Sequence, residues 1–382
     1  MDFAPQRTHE KLYFDGDEFF KDIIDAICRA QDSIYIEMYI FRTDRLGQAL
    51  ARHLIAASSR GVEIRILIDG VGSYFWLSSF AETFINTSVE FRVYHPLPWS
   101  KFIVPLASES QKIKLSKLWT TVNKRNHRKV IIIDRSEAWA GSINIAEYHM
   151  REFSGENAWR DAAVKIRGDD VNDLIFAFKK AWHAPKSINF QLSYKQKRKY
   201  EKLNLSVRLN FNRKLRKKFT KELLYKINHA TRNIWITNAY FVPRRTLFKA
   251  LKHAARRGVD VRVISPRISD VFFIPWLTLS YYSKMAREGI KVFRYLPAML
   301  HSKTIIIDDW TTIGSTNLNH RSFIHDLEVD IVILNEENKD ILKKQFLSDL
   351  HLSQELSENE LAQRPFWQKI IGRLILAFRY WL

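Results

Sequence analysis

The sequence reads HRKVIIID at residues 127–134 and HSKTIIID at residues 301–308. Each copy has a Lys two residues after the His, an Asp seven residues after it, and β-branched residues between. Such a short apolar run is typical of a buried strand, and side chains two apart on a strand point the same way. The sequence therefore predicts two equivalent strands, each presenting a histidine and a lysine together.

A second matching string follows each copy, GSIN at residues 141–144 and GSTN at residues 314–317. After one turn, this string can return beside the His-Lys strand on a neighbouring strand. A serine hydroxyl and an asparagine amide are suitable hydrogen-bond donors for a phosphate oxygen. We therefore predict phosphate-binding roles for Ser142, Asn144, Ser315 and Asn317.

The order of elements upstream of the two copies also repeats. Each half is predicted to run helix, strand, helix, strand, with the helices at 18–30, 47–59, 221–230 and 246–256 and the strands at 33–41, 60–67, 233–241 and 257–264. The last helix and strand of each series join through Arg-Gly-Val, and glycine suits a helix end. This spacing predicts βαβ crossovers and an α/β fold, built as two similar α/β/α halves.

The halves differ most before the histidine, which lies 31 residues past Pro96 in the first half and 4 past Pro297 in the second. The predicted organisation is a first half at 1–186 with an insertion at 97–125, a basic linker at 187–218, a second half at 219–355 and a C-terminal amphipathic helix at 356–382. The linker is either a solvated connection or a contact with an anionic surface.

The amino-acid composition indicates the charge of the binding partners but not their chemical class. The chain has 61 Lys and Arg against 41 Asp and Glu, a net charge of +20. Such a charge predicts anionic partners: nucleic acid, anionic lipid head groups or phosphorylated metabolites. Cys28 is the one cysteine, so a disulfide within the chain is excluded, and we expect it to be a small core residue.

The two His-Lys pairs suit phosphodiester chemistry. One imidazole can attack phosphorus, the other can protonate the leaving oxygen, and the lysines can hold the anionic oxygens. The predicted catalytic set follows the motif: His127, Lys129, Asp134, His301, Lys303 and Asp308. Within it, we interpret the two aspartates as structural residues that pair with local cations. One copy supplies one histidine, so the copies are expected to meet at a pseudo-twofold axis.

The paired string resembles the motif of the phospholipase D superfamily, and it covers nearly the whole chain. Further stretches resemble bacterial cardiolipin synthases: Asn126–Lys129, Trp159–Asp161, Asn238–Pro243 and Gly314–Ser322 with Glu328. Ser142 departs from the glycine that those enzymes often have. The resemblance implies a covalent phosphatidyl-histidine, no metal ion or other cofactor, and an acid that orients each histidine. By matching position, Asp161 is assigned to His127 and Glu328 to His301. The same resemblance favours His127 as the nucleophile and His301 as the general acid and base.

The ends of the chain bear on the choice between lipid and nucleic acid. No apolar run is long enough for a transmembrane helix, and the first residues do not resemble a signal peptide. Residues 366–382 place Lys and Arg in one arc, which fits a helix in the membrane interface or one docked on the core. The apolar stretches 74–77 and 271–282 are predicted either to receive acyl chains or to pack in the core.

These features favour a peripheral protein on the cytoplasmic side of the cell membrane, of the short type that lacks N-terminal transmembrane helices. The expected activity is transfer of a phosphatidyl group from phosphatidylglycerol to form cardiolipin or a related phospholipid. Two alternatives stay open: a phospholipase or endonuclease on the same fold, and a basic membrane- or nucleic-acid-binding protein with an inactive site. The sequence does not indicate an oligomeric state.

Overall fold

The computed structural model describes residues 7–74, 80, 83–84, 86–97, 123–183, 206–271 and 274–357. The predicted C-terminal helix from residue 358, the predicted insertion between residues 98 and 122, and the predicted linker up to residue 205 lie outside the described residues. Among the helices of the described ranges, none is long and apolar enough to cross a bilayer.

The first half is a seven-stranded mixed sheet with helices on both faces. Its strand order is β1-β7-β6-β5-β2-β3-β4. The strands are β1 Arg7–Tyr13, β2 Ser33–Met38, β3 Glu63–Asp69, β4 Val89–Tyr94, β5 Lys129–Ile133, β6 Glu137–Gly141 and β7 Ala163–Gly168. The helices are α1 Gly16–Arg29, α2 Arg45–Ser59, α3 Arg151–Ser154 and α4 Asp170–His183.

The second half is an eight-stranded sheet of order β15-β11-β10-β9-β12-β13-β14-β8. The strands are β8 Val207–Leu209, β9 Asn233–Asn238, β10 Asp260–Pro266, β11 Lys291–Tyr295, β12 Lys303–Ile307, β13 Trp310–Gly314, β14 Val329–Val332 and β15 Ser353–Glu355. The helices are α5 Arg213–His229, α6 Arg245–Arg256, α7 Ile274–Ala286, α8 His320–Ile324 and α9 Glu336–His351.

The two strand orders match element by element. The order β7-β6-β5-β2-β3-β4 corresponds to β14-β13-β12-β9-β10-β11, with β1 and β8 at equivalent edges and β15 as an addition. In both sheets the first three strands of the repeat are parallel and the motif strand runs antiparallel to them. The predicted α/β fold with two similar halves is therefore confirmed.

Alternating side chains on the motif strand of the first half enter two different core regions. Ile131 and Ile133 pack with α1 and α2 on the outer face of the first sheet. Val130 and Ile132 lie on the other face, in a core that also contains Ile306 of the second half. Each buried isoleucine contributes roughly 1.5–3 kcal/mol, so this shared core holds the two sheets face to face. The pseudo-repeat thus buries its motif strands between the halves.

Local sequence signals explain several boundaries. Gly61 and Gly258 have φ of 91° and 88°, a left-handed conformation that glycine adopts without steric cost, so the two Arg-Gly-Val steps end helices as predicted. The predicted linker is too long, however. Its residues 206–218 form β8, which pairs with β14, and the start of α5.

Cys28 also departs from expectation. It lies on the solvent-exposed face of α1 rather than in the core, with its Sγ 3.5 Å from Nδ1 of His53 on α2.

Candidate active site

The two reactive histidines lie just before the motif strands and pair with the backbone of the opposite half. The His127 N–H donates to the Leu327 carbonyl at 3.0 Å, and the His301 N–H donates to the Arg160 carbonyl at 2.8 Å. Parallel bridges join Asn126 to Leu327 and Arg160 to Leu300. Two short backbone crossings therefore bring both motifs to one site between the sheets.

Each histidine contacts an acid of the other half. Nδ1 of His127 lies 3.0 Å from both carboxylate oxygens of Glu328, and Nδ1 of His301 lies 2.8 Å from Oδ1 of Asp161. The predicted assignment of Asp161 to His127 and Glu328 to His301 is therefore wrong. The reason is that each acid directly follows a residue, Leu327 or Arg160, whose backbone pairs with the other half's histidine segment.

Both lysines are buried and donate to the carbonyl of their own histidine. Nζ of Lys129 lies 2.7 Å from the His127 oxygen, and Lys303 makes the same contact with His301. Burial lowers the pKa of Lys129 to about 7 and holds the pKa of Lys303 well below its usual value. An anion placed beside such a buried lysine favours the charged form of the lysine and raises its pKa.

Electrostatic coupling shows that the two motifs form one site. Burial, and then the charges of Lys129 and Lys303, hold the pKa of His127 well below its usual value. Burial and Lys303 lower the pKa of His301 to about 3, and Lys129 adds to this effect. Each imidazole is therefore neutral before substrate binds, and each responds to the lysine of the other half.

The two acids differ in their ionisation. Burial raises the pKa of Glu328 to about 7, although nearby donors oppose this. Burial also acts on Asp161, but contacts with His301 and His149 outweigh it and hold the pKa of Asp161 well below its usual value. For the buried Asp161–His301 pair, we take the carboxylate as ionised and the imidazole as its neutral N–H donor. The pseudo-symmetric site is therefore chemically asymmetric.

The motif serines bind protein groups. The Ser142 hydroxyl donates to the Ala162 carbonyl at 3.1 Å, and the Ser315 hydroxyl donates to Glu328 at 2.5 Å. A hydroxyl has one hydrogen, so neither serine has a donor left for a phosphate oxygen in this arrangement. The predicted phosphate contacts of Ser142 and Ser315 are thus corrected: Ser142 joins β6 to β7, and Ser315 orients Glu328.

The motif asparagines are buried beside the same strands. Oδ1 of Asn144 accepts the Ile40 N–H at 3.2 Å, which fixes the loop after β2. Oδ1 of Asn317 is buried without a hydrogen-bond partner among the described residues. An amide oxygen only accepts, so a phosphate oxygen would have to be bound by the Nδ2 donors instead. The contact of Asn144 uses Oδ1 alone, and the amides of Asn144 and Asn317 therefore both stay predicted phosphate-binding groups.

The aspartates that end the motifs do not reach the site. Asp134 accepts the backbone N–H groups of residues 31–33, and Asp308 accepts those of residues 231–233, at 2.8–3.1 Å. Each lies at the far end of a five-residue strand, roughly 16 Å from the motif lysine. Including Asp134 and Asp308 in the catalytic set is therefore wrong. Their interpretation as structural residues agrees with these contacts, but their partners are backbone amides and not the predicted cations.

Sequence reasoning missed two residues that hold the acids. Nδ1 of His149 lies 2.8 Å from Oδ2 of Asp161, and the Ser322 hydroxyl donates to Oε1 of Glu328 at 2.7 Å. Each residue lies five positions after the motif asparagine of its half, Asn144 or Asn317. Aligning the halves past these asparagines would have placed His149 and Ser322 at one position of the repeat.

Aromatic rings surround both histidines. The Tyr39 ring centroid is 4.8 Å from that of His127, and the Lys129 ammonium lies 5.0 Å from the Tyr39 centroid. The Trp159 ring centroid is 5.3 Å from that of His301. These rings exclude water from the sides of the imidazoles, which strengthens the ionic interactions inside the site.

Comparison with known proteins agrees with this geometry. A family sequence model described as the phospholipase D-like domain of cardiolipin synthase matches residues 23–182 and 223–350. A cardiolipin synthase of Staphylococcus aureus is 31% identical over 366 residues, which cover 94% of this chain and 70% of the relative. Cardiolipin synthase 2 of Bacillus anthracis is 30% identical over 370 residues, covering 96% of this chain and 69% of the relative.

Solved structures share the fold at low sequence identity. Phosphatidylserine synthase of Haemophilus influenzae superposes with a TM-score of 0.69 and 15% identity, covering 98% of this chain and 94% of that one. Polyphosphate kinase of Porphyromonas gingivalis superposes with a TM-score of 0.62 and 11% identity, covering 98% of this chain and 53% of that one. The family match spans both halves and both motifs, and this chain therefore belongs to the cardiolipin synthase family of phospholipase D-like proteins.

Proposed function

We propose that this protein is a phosphatidyltransferase that forms cardiolipin from two molecules of phosphatidylglycerol. One observation carries the proposal: two buried histidines, each held through Nδ1 by an acid, share one site with two buried lysines. With Nδ1 engaged, Nε2 is the ring nitrogen that remains for reaction. The relatives named as cardiolipin synthases support the lipid substrate.

The first half-reaction uses His127 as nucleophile. Its Nε2 attacks the phosphorus of phosphatidylglycerol, the bond from phosphorus to the head-group glycerol oxygen breaks, and protonated His301 gives that oxygen its proton. The anionic phosphodiester offsets the charges of Lys129 and Lys303, which raises the pKa of His301 in the complex and supplies its protonated form. The products of this step are free glycerol and a phosphatidyl-His127.

The second half-reaction reverses the roles of the same groups. A glycerol hydroxyl of a second phosphatidylglycerol gives its proton to His301 and attacks phosphorus. The phosphorus–nitrogen bond breaks, which releases cardiolipin and neutral His127. Asp161 supports the imidazolium form of His301 in both steps, because an ionised carboxylate at Nδ1 stabilises positive charge on the ring.

A basic edge of the second half supports a peripheral position at an anionic membrane surface, on the cytoplasmic side. Helix α5 runs antiparallel to β9, so its first residues lie at the edge where β9 ends beside Lys303. Lys217 and Lys218 are exposed there, as is Lys249 of α6. Ile268, 52% exposed, follows β10 at the same edge. Exposed cations beside an apolar side chain suit anionic head groups over an acyl layer.

Product analysis tests the activity directly. Purified protein incubated with phosphatidylglycerol liposomes is expected to release cardiolipin and glycerol in equal amounts, with or without EDTA, and His127→Ala should release neither. Phosphatidic acid as the sole lipid product would indicate hydrolysis instead of transfer. Cleavage of labelled single-stranded DNA, without lipid turnover, would replace the lipid assignment with the endonuclease alternative.

Vesicle binding tests the membrane-facing edge separately. The double variant Lys217→Glu/Lys218→Glu should bind phosphatidylglycerol vesicles at least several-fold more weakly, with little change for neutral vesicles. Arg29→Glu/Arg52→Glu is the matched control, because it changes the net charge by the same amount and both residues are exposed cations on helices of the first half, α1 and α2. Equal losses in both variants would mean that net charge, rather than this edge, drives binding.

A further inference from the structure

His149 is a buried imidazole outside the paired motifs, with a hydrogen bond at each ring nitrogen. Its side chain is inaccessible, Nε2 accepts the Asn144 backbone N–H at 3.2 Å, and Nδ1 lies 2.8 Å from Oδ2 of Asp161. A backbone N–H can only donate, so Nε2 must carry a lone pair. The ring proton is therefore on Nδ1 and points at Asp161.

Asp161 connects His149 to the reactive imidazole. Its Oδ2 accepts from His149, while its Oδ1 lies 2.8 Å from Nδ1 of His301. With one imidazole on each oxygen, the short carboxylate cannot rotate without losing one of two hydrogen bonds in a buried site. The ring centroids of His149 and His301 are 6.1 Å apart, so His149 lies behind the acid rather than beside the substrate.

We infer that His149 is a positioning residue for His301 that acts through Asp161. It keeps the carboxylate ionised and oriented, so that Oδ1 accepts the Nδ1 proton of His301 and Nε2 of His301 faces the leaving oxygen. This role in proton transfer rests on the function proposed above, whereas the hydrogen-bonded relay from residue 144 to His301 is a property of the fold.

The other half supports its acid in a different way. Glu328 accepts two hydroxyl hydrogen bonds, from Ser322 and Ser315. Ser322 occupies the repeat position of His149, and Ser142, the counterpart of Ser315, is hydrogen-bonded to Ala162 instead of Asp161. One imidazole N–H thus orients Asp161, whereas two hydroxyls orient Glu328. Different supports are expected where two histidines have different tasks, attack in one case and proton transfer in the other.

Two substitutions at this position separate positioning from packing. His149→Phe keeps a ring of similar size but removes the donor, and we expect kcat to fall about 30- to 100-fold with little change in KM, because the residue does not contact substrate. His149→Asn places an amide N–H near the position of Nδ1 and should restore kcat to within roughly 5-fold of the parent. Ser322→Ala, which leaves Glu328 one hydroxyl, is the matched control.

The leaving group provides a second readout. A phosphodiester with a p-nitrophenolate leaving group does not need a proton donor in the first half-reaction. The defect of His149→Phe in the burst rate of p-nitrophenolate release should therefore be much smaller than its defect with phosphatidylglycerol. Ser322→Ala should lower this burst rate and the rate of the first half-reaction with phosphatidylglycerol by the same factor. Equal losses for both substrates in His149→Phe, or no gain from Asn over Phe, would overturn the inference. The probe reports on His301 whichever lipid is the natural substrate, so it distinguishes this proposal from the proposed function.

A spectroscopic measurement tests the relay without an activity assay. In protein labelled with ¹⁵N-histidine, side-chain correlation spectra should show His149 as the neutral tautomer protonated at Nδ1, assigned by loss of the signal in His149→Asn. A ring protonated at Nε2, or doubly protonated, contradicts the relay. Thermal unfolding of each variant identifies a folding defect. If His149→Phe does not fold, the kcat of His149→Asn and the tautomer of His149 in the parent spectrum still test the relay.

Discussion

Nδ1 of His127 lies 3.0 Å from both carboxylate oxygens of Glu328, a residue 201 positions later in the chain. The reciprocal contact joins His301 to Asp161, which lies 140 positions earlier. Each pair of a motif histidine and its acid is therefore composed of both halves of the repeat. Neither half holds a motif histidine together with its acid, which explains in physical terms why the duplication has to act as a unit.

The crossed pairing predicts which substitutions depend on each other. Glu328→Gln alone should lower kcat about 10²- to 10⁴-fold, because His127 loses the acid that orients it. Because His127→Ala and His301→Ala abolish turnover, coupling to them is measured on the free energy of unfolding. In double-mutant cycles on that quantity, Glu328→Gln should couple to His127→Ala and Asp161→Asn to His301→Ala. Strong coupling of His127 to Asp161 would instead restore the assignment made from sequence position.

The buried Glu328 carboxyl should also affect how stability varies with pH. Its pKa rises from 4.5 to about 7 on folding, so between these values unfolding releases a proton and becomes more favourable as pH rises. Glu328→Gln cannot release this proton. Relative to the parent, the variant should therefore gain about 3 kcal/mol across this window. Urea unfolding of both proteins above and below the window measures the difference, and a pH-independent difference would contradict it.

The roles of the two histidines can be separated by leaving group. With phosphatidylglycerol, His127→Ala and His301→Ala should each abolish turnover, because attack and leaving-group protonation are both required. With a p-nitrophenyl phosphodiester, His301→Ala should keep a burst of p-nitrophenolate release equal to about one equivalent of enzyme. Mass spectrometry of the quenched protein should place the adduct on His127. An adduct on His301 in the His127→Ala variant would reverse the assignment.

The two lysines should take up protons when an anion binds. The pKa of Lys129 is lowered to about 7 by burial, and a phosphate oxyanion beside it favours the charged form. Binding of inorganic phosphate or tungstate at neutral pH is therefore expected to be accompanied by proton uptake. Titration calorimetry in buffers of different ionisation enthalpy measures the number of protons. Lys129→Met should reduce this number and weaken binding, whereas exposed Lys21→Met should change neither.

The motif aspartates should affect stability and not chemistry. Asp134→Ala removes a carboxylate that accepts three backbone N–H groups at the start of β2, and should cost about 2 kcal/mol of unfolding free energy. The fraction that stays folded should keep the kcat of the parent. Active-site titration combined with thermal unfolding separates the two effects. A loss of kcat per folded molecule would return Asp134 to the catalytic set.

Much of the fold was predictable because its signals are local. The Ile runs after Lys129 and Lys303 define strands through their own burial, and the glycines at 61 and 258 end helices through their backbone conformation. These patterns extend over a few residues and repeat in the same order, so the α/β class, the two halves and the shared site followed from the sequence. The family match over both halves agrees with this interpretation.

The sequence could not show how residues pair between the halves. A repeat has the same spacing whether Asp161 supports His127 or His301, and whether Ser315 faces a phosphate or Glu328. The backbone crossings at Leu327 and Arg160 decide the first question, and the hydroxyl geometry decides the second. By itself, the sequence determined the reactive groups and the strands that carry them. Only the tertiary structure decided which acid each imidazole contacts, because that contact depends on how two sheets pack and not on distance along the chain.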